Sequence, residues 1–205
     1  MCHRRCSQKK YKAAIDAGLL LQLDDPWITA HWDRMLPNID LKQFHKYCAI
    51  RIEATNYALA GIPRDRVRYH ICWGSWHGPH STDIPVKHML SLFHKLNAGA
   101  YLFEAANVRH EHEWKVWQDV RPPRGTVHIP GVVTDATNWI EHPELVAQRI
   151  VRFAKHVGRE NMLAGTDCDV SQEPFSANVH PSIQRAKLKA LVEGAELASR
   201  ELWRS

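Results

Sequence analysis

Apolar residues along this chain follow two alternating rhythms. Five short runs rich in branched or aromatic side chains, at 19–24, 67–73, 100–106, 127–133 and 161–168, read as strands. Between them the apolar spacing is helical: Phe44, Cys48, Ile52 and Leu59; Val146, Ile150, Phe153 and Val157; and Leu188, Leu191, Ala195, Ala198 and Leu202. A further helix is expected around Met89, Leu92, Phe93 and Leu96, ended by Gly99. Pro85 and Pro143 occupy first-turn positions, with Asp83 and Glu141 just before them. Strand and helix therefore alternate, which predicts an α/β fold with a parallel sheet built from about five βα units. That number suits either an open doubly wound sheet or part of a (β/α)₈ barrel, which needs eight strands. The segment 11–18 reads as the tail of a helix with no strand ahead of it. Residues 1–10, with His3, Arg4, Arg5, Lys9 and Lys10, form the only dense basic run and are expected to be disordered, leaving 11–205 as one domain.

Composition narrows the field only modestly. The 205 residues are 44% hydrophobic and 24% charged, which is ordinary for a globular chain. A net charge of +5 is spread out rather than gathered on one element, which argues against nucleic acid as a partner. No apolar run reaches the roughly 20 residues of a membrane span, and MCHRRCSQKKYK has no signal-peptide core. Five cysteines in a chain of this size point to a reduced, cytoplasmic setting rather than a disulfide framework.

The candidate chemistry sits at the strand ends. His70 and Cys72 are two apart on one strand and so share a face. Glu104 and Cys168 follow later strands, and parallel pairing puts all those ends on one side of the sheet. One imidazole, one carboxylate and two thiols favour Zn²⁺ over Mg²⁺ or Ca²⁺. Ligands so dispersed in sequence are not a zinc finger; they suggest a catalytic zinc where strands converge. A substrate thiol would join the four ligands or displace the carboxylate, and would lose its proton to become a nucleophile. The same residues also fit a bland alternative, with Cys72 and Cys168 as small core residues and His70 as a satisfied strand histidine. Cys48 reads as core, and Cys2 and Cys6 as part of the basic terminus. Asp24 and Asp25 end a strand before Pro26, facing a pocket or capping a turn. His77, His80, His110 and His112 crowd the loops after the second and third strands as candidate substrate contacts. Trp73, Trp76 and Trp114 fit either a pocket wall or packing beneath loops.

Several longer motifs, in order, carry a resemblance. LLLQLDDPW, YHICWGSWHGPHSTDIP, YLFEAANVRHEHEWKVW, IPGVVTDATNWIEHPELVAQRI and GRENMLAGTDCDV resemble the cobalamin-independent methionine synthase family (methionine synthase II-like). The nearest branch is that of single-barrel proteins, which includes epoxyalkane:coenzyme M transferase. The resemblance runs from about Tyr11 to the C-terminus. It implies a partial (β/α)₈ TIM barrel matching the last five strands of the family barrel, with zinc held at the C-terminal mouth by His70, Cys72, Glu104 and Cys168. It also implies methyl or alkyl transfer to a small thiol, as in homocysteine S-methylation from a 5-methyltetrahydrofolate-type donor; epoxide-to-thiol transfer and a zinc-binding fragment with little activity are the alternatives. Asp24 matches the aspartate that holds the homocysteine amino group, and Trp73, His77 and His110 are the further expected substrate contacts. In the family, the segment matching GVVTDATN carries a proton-donating histidine; here Asp135 takes that place as the catalytic candidate. The family's first three strands have no counterpart, so the chain is expected to be a truncated product or a fragment of the barrel. Its open edges are then expected to be covered by self-association or by another chain.

Overall fold

Parallel strands joined by helices make up the computed structural model, which describes residues 2–74, 80–120, 123–135, 137–169 and 179–204, with side chains from residue 7 onward. Helix α1 (Cys2–Asp16) leads into strand β1 (Leu21–Asp24), and helices α2 (Trp27–Met35) and α3 (Leu41–Ala58) return the chain to β2 (Val67–Ile71). The single-turn helix α4 (Leu90–Phe93) precedes β3 (Ala100–Phe103), and α5 (Val116–Asp119) precedes β4 (Val127–Val133). Helix α6 (Pro143–Val157) precedes β5 (Gly165–Thr166), and α7 (Pro181–Leu202) ends the described chain. The strands pair in sequence order, β1-β2-β3-β4-β5, and every pair is parallel. The result is the expected curled partial barrel. Among the described residues no strand pairs with the outer edge of β1 or of β5.

Local chemistry explains several boundaries. Asp40 caps α3 reciprocally: its carboxylate accepts the Gln43 N–H at 2.7 Å, and the Gln43 side chain accepts the Asp40 N–H at 2.9 Å. Helices α6 and α7 both open on a His-Pro pair, with the His142 and His180 rings accepting the N–H groups of Glu144 and Ser182. Pro143 and Pro181 lose nothing there, because a first-turn N–H has no helical acceptor. Glu141, expected at that cap, instead pairs with Lys187 of α7 at 2.9 Å.

Helix α1 runs through residues 2–10 back to Cys2, and the Gln8 amide donates to Ala60 O at 3.2 Å. Two expectations are corrected. The stretch 86–96 is not one helix but a 3₁₀ turn (Val86–His88) followed by the single turn of α4. Its apolar side chains are buried on all sides, so packing rather than helical periodicity shapes it. The run 161–168 supplies only a two-residue strand, because pairing with β4 is irregular between Gly131 and Val133.

Alternate residues of each strand face opposite ways. Tyr69, Ile71, Tyr101 and Phe103 point outward into the main core with Phe44, Cys48 and Ile52 of α3, Phe93 of α4 and Trp117 of α5. A second core packs Val132 and Val133 against Val146 and Ile150 of α6 and Ala198 of α7. Helices α6 and α7 approach so closely at Gly194 that a Cβ there would lie 2.5 Å from the Val146 side chain.

His128 is the anomaly of the main core. It is fully buried against Phe103 and Trp117, and neither ring nitrogen has a hydrogen-bond partner. Burial, with a smaller contribution from His94, holds its pKa down at about 4. The unfolded chain would bind that proton at about 6.5, so folding loses stability as pH falls from about 6.5 towards 4, by on the order of 3 kcal/mol. His128→Phe should therefore leave the thermal midpoint at pH 8 little changed and remove most of its fall between pH 6.5 and 4, as measured by thermal unfolding across that range.

Candidate metal centre

Strand register assembles the site. Asp24 of β1 lies beside His70 of β2 in the ladder. Cys72 follows two residues after His70, and Glu104 and Cys168 come just after β3 and β5. The ligand atoms of His70, Cys72 and Cys168 lie within 4.8 Å of one another, and the two sulfurs are 3.5 Å apart. The cluster borders a cavity of about 310 Å³ on the concave side of the sheet, lined among others by Asp24, Arg68, His70, Leu102, Cys168 and Asp169.

Glu104 is not part of that three-residue cluster. Its carboxylate is buried and turned to three donors: the Trp73 N–H at 2.8 Å, Asn107 Nδ2 at 2.8 Å and Arg109 Nη2 at 3.0 Å. Arg109 is anchored in turn on Asp83, which also faces His80 at 3.0 Å.

The electrostatics favour a cation. The nearby Cys168 sulfur, then burial, then Glu104 push the Cys72 thiol far above its ordinary value, against a 3.2 Å hydrogen bond from the Gly74 N–H. Burial alone would lower the His70 pKa, but Cys168, Asp24 and Glu104 outweigh it and raise it. Burial raises Asp24 as well, opposed by His70 and reinforced by Cys168, Asp169 and Asp25. Anion-forming groups thus crowd a place with little water, and a divalent ion would reverse every one of these shifts. The His70 ring is buried and faces the Cys168 sulfur. One imidazole and two sulfurs so disposed fit a thiophilic ion such as Zn²⁺.

Asp25 has a different role from Asp24, because its side chain faces the other way. It accepts from Arg51 at 2.7 Å, Tyr69 OH at 3.2 Å and the Trp27 N–H that opens α2.

Of the expected substrate contacts, Asp24 borders the cavity and two others lie behind the site. Trp73 is buried, its indole N–H donating to Ile84 O at 2.8 Å. His110 lies tilted against Trp73, ring centroids 4.2 Å apart, and is gripped by Glu113 at 2.7 Å and Asp83 at 3.4 Å. His77 and Trp76 lie outside the described residues. Asp135, the catalytic candidate, is buried beyond the end of β4 near Asp167. Sequence reading passed over Arg109, Asp83 and Asp167; only the position of Asp167 next to Cys168 in GTDCDV marked any of them.

No protein-family model and no curated protein matches the chain. Among solved structures, it resembles a B12-independent methionine synthase from Shewanella sp. W3-18-1 in complex with selenomethionine, with a TM-score of 0.73 and 20% identity. The match covers 98% of this chain. The two share a fold. The chain spans about half of that methionine synthase, 54% of its length.

The histidine behind the site has a pH signature. Burial would lower the His110 pKa, but Asp83, Glu113 and Glu104 outweigh it and raise it to about 9. A histidine raised above its unfolded value of about 6.5 stabilises the fold fully below that pH and loses its contribution as pH rises through 9. His110→Gln should thus lower the thermal midpoint most at pH 6 and progressively less up to pH 10, as followed by thermal unfolding at each pH.

Proposed function

We propose that the chain is part of a zinc-dependent thiol alkyltransferase of the cobalamin-independent methionine synthase kind, which methylates a homocysteine-like thiol. The observation that carries the proposal is the convergence of His70, Cys72 and Cys168 beside Asp24 on the concave face of a methionine synthase-like half-barrel. His70, Cys72 and Cys168 would hold the ion, with Glu104 as an exchangeable fourth ligand once it leaves its Trp73, Asn107 and Arg109 donors. When bound, zinc supplies Lewis acidity that takes the proton from a substrate thiol at neutral pH and keeps the sulfur nucleophilic. Asp24, a carboxyl on the cavity wall beside His70, suits the substrate ammonium group. Arg68 on the same wall suits an anionic end of the thiol or of the alkyl donor. That residue also favours the second reading, transfer from an epoxide to a coenzyme M-like thiol, whose sulfonate would pair with a guanidinium. Asp135, away from the cavity wall, would serve proton transfer only through an intermediary group.

Among the described residues no strand pairs with the outer edge of β1 or of β5. Covering them, by a second copy or by a chain that supplies further strands, is part of the proposal. So is a cytoplasmic setting; no described helix is long and apolar enough to cross a membrane.

Purified chain should hold one zinc per molecule by metal analysis, and Cys72→Ser or Cys168→Ser should abolish retention of the metal. Retention of a full equivalent by Cys72→Ser would refute the site. Asp24→Asn should spare the metal and weaken homocysteine at least tenfold in thiol-alkylation kinetics, with little effect on coenzyme M, which has no ammonium group. The 205-residue chain alone should turn over slowly, because a reacting group misplaced by about 1 Å already costs on the order of 10²-fold. Rates of roughly 1–10³ per second from the isolated chain would show that the described wall is sufficient.

A further inference from the structure

Asp167 is fully buried one residue before Cys168, yet both its oxygens are saturated by donors from the loop that follows β3. Its Oδ1 accepts the N–H groups of Ala105 and Ala106, each at 2.8 Å. Its Oδ2 accepts the N–H of Asn107 at 2.8 Å and the Asn107 side-chain amide at 3.0 Å. Three consecutive backbone N–H groups converging on one anion form a nest, and this nest begins at the residue after Glu104. The Asn107 amide also donates to Glu104 Oε2 at 2.8 Å, so one Nδ2 is shared between the two carboxylates. Strand β4 leaves room for the arrangement only because residue 131 is glycine, where a Cβ would stand 2.3 Å from Asp167 Oδ1. Asp167 does not border the cavity and cannot touch a substrate bound there.

We infer that Asp167 is a positioning residue: it clamps the 105–107 loop to the Cys168 segment and thereby fixes Glu104 at a set distance from the two thiols. The inference rests on the zinc reading above. A fully buried carboxylate is costly unless its lone pairs are met, and an apolar residue would fill the space beside Gly131 as well. What only a carboxylate does here is accept four N–H donors from the loop that carries the carboxylate of the site. Asn at position 167 keeps the shape but turns an NH₂ towards N–H groups, so the clamp opens on at least one side.

The test is competition for Zn²⁺ against a chromophoric chelator, with Co²⁺ absorption spectra as a second readout. It compares the wild-type chain, Asp167→Asn, Glu104→Gln and the double variant. Asp167→Asn should weaken zinc binding 10- to 100-fold, the usual scale for a group that orients a ligand, and should shift the cobalt bands. In the Glu104→Gln background the same substitution should cost less than threefold, because the effect runs through Glu104. Equal losses in both backgrounds with an unchanged cobalt spectrum would mark Asp167 as merely structural and overturn the inference. If Asp167→Asn fails to fold, Asn107→Ala decides: it keeps the three backbone bonds and removes the shared amide together with the Oδ1 that accepts the Arg109 and His110 N–H groups. A several-fold loss of affinity that vanishes with Glu104→Gln supports the positioning role, and unchanged affinity overturns it. A wild-type chain that binds no zinc would sink the zinc reading and this inference together. Stoichiometric binding by wild type with indifferent variants would sink the inference alone.

Discussion

Parallel pairing without a skipped strand is the constraint on which the rest of the molecule depends. It brings the C-terminal ends of all five strands to one rim, so that residues separated by almost a hundred positions, Cys72 and Cys168, meet at 3.5 Å. Register is as strict as direction. With Asp24 beside His70 and Tyr69 beside Tyr101, the inner face carries acid and imidazole while the outer face carries aromatic rings. A slip of one residue would exchange the two faces of a strand, setting a phenol in the cavity and an imidazole in the core. The burial of Tyr69, Ile71, Tyr101 and Phe103 against the helices makes such a slip prohibitive, so core packing indirectly holds the site in place.

Charge is organised in two tiers behind and within the cavity. In the rear tier every buried ion has a partner of opposite sign: Glu104 with Arg109, Arg109 with Asp83, and His110 between Asp83 and Glu113. Burial by itself would raise the Asp83 carboxyl, yet His110, His80 and Arg109 hold it far below the usual carboxylate range. In the front tier His70 is the group of opposite sign to Asp24, and the Cys72 thiol and the Asp24 carboxyl are pushed towards their protonated forms. The contrast has a simple physical meaning. The rear tier is neutralised within the protein, whereas the front tier gathers two thiols and a carboxyl around one imidazole.

The last helix is fastened in the manner of the rear tier. Lys187 of α7 is wholly buried and bonded to Glu141, Thr134 and Thr137, the segment that follows β4. An ion pair without access to water is strongly destabilising to break one-sidedly, so α7 is held to the β4 rim by more than its apolar contacts with α6. Together with Gly194 against Val146, this explains how a strand as short as β5 is kept in place: the α6–α7 pair covers the end of the sheet where the ladder itself is irregular.

Much of this was written locally in the sequence. Alternation of branched runs with helical periods determined the parallel α/β class, and the full length of β4 was readable because Val127, Ile129, Val132 and Val133 span it. The His-x-Cys pair was legible because two residues of one strand must share a face. Of the N-terminal helix only the tail from residue 11 was, since residues 2–10 carry no apolar period, whereas Tyr11 and Ile15 pack on the core. Nor could sequence tell Asp24, on the cavity, from Asp25, on Arg51, or separate Asp24 from Trp73 and His110, which lie beneath the loops. Those distinctions turn on which way a side chain points once strands pair. Most clearly, nothing in GTDCDV or FEAAN announces that Asp167 grips the loop after Glu104. That bond joins segments some sixty residues apart, and only the tertiary structure, by pressing β5 against the Gly131 gap in β4, decides it.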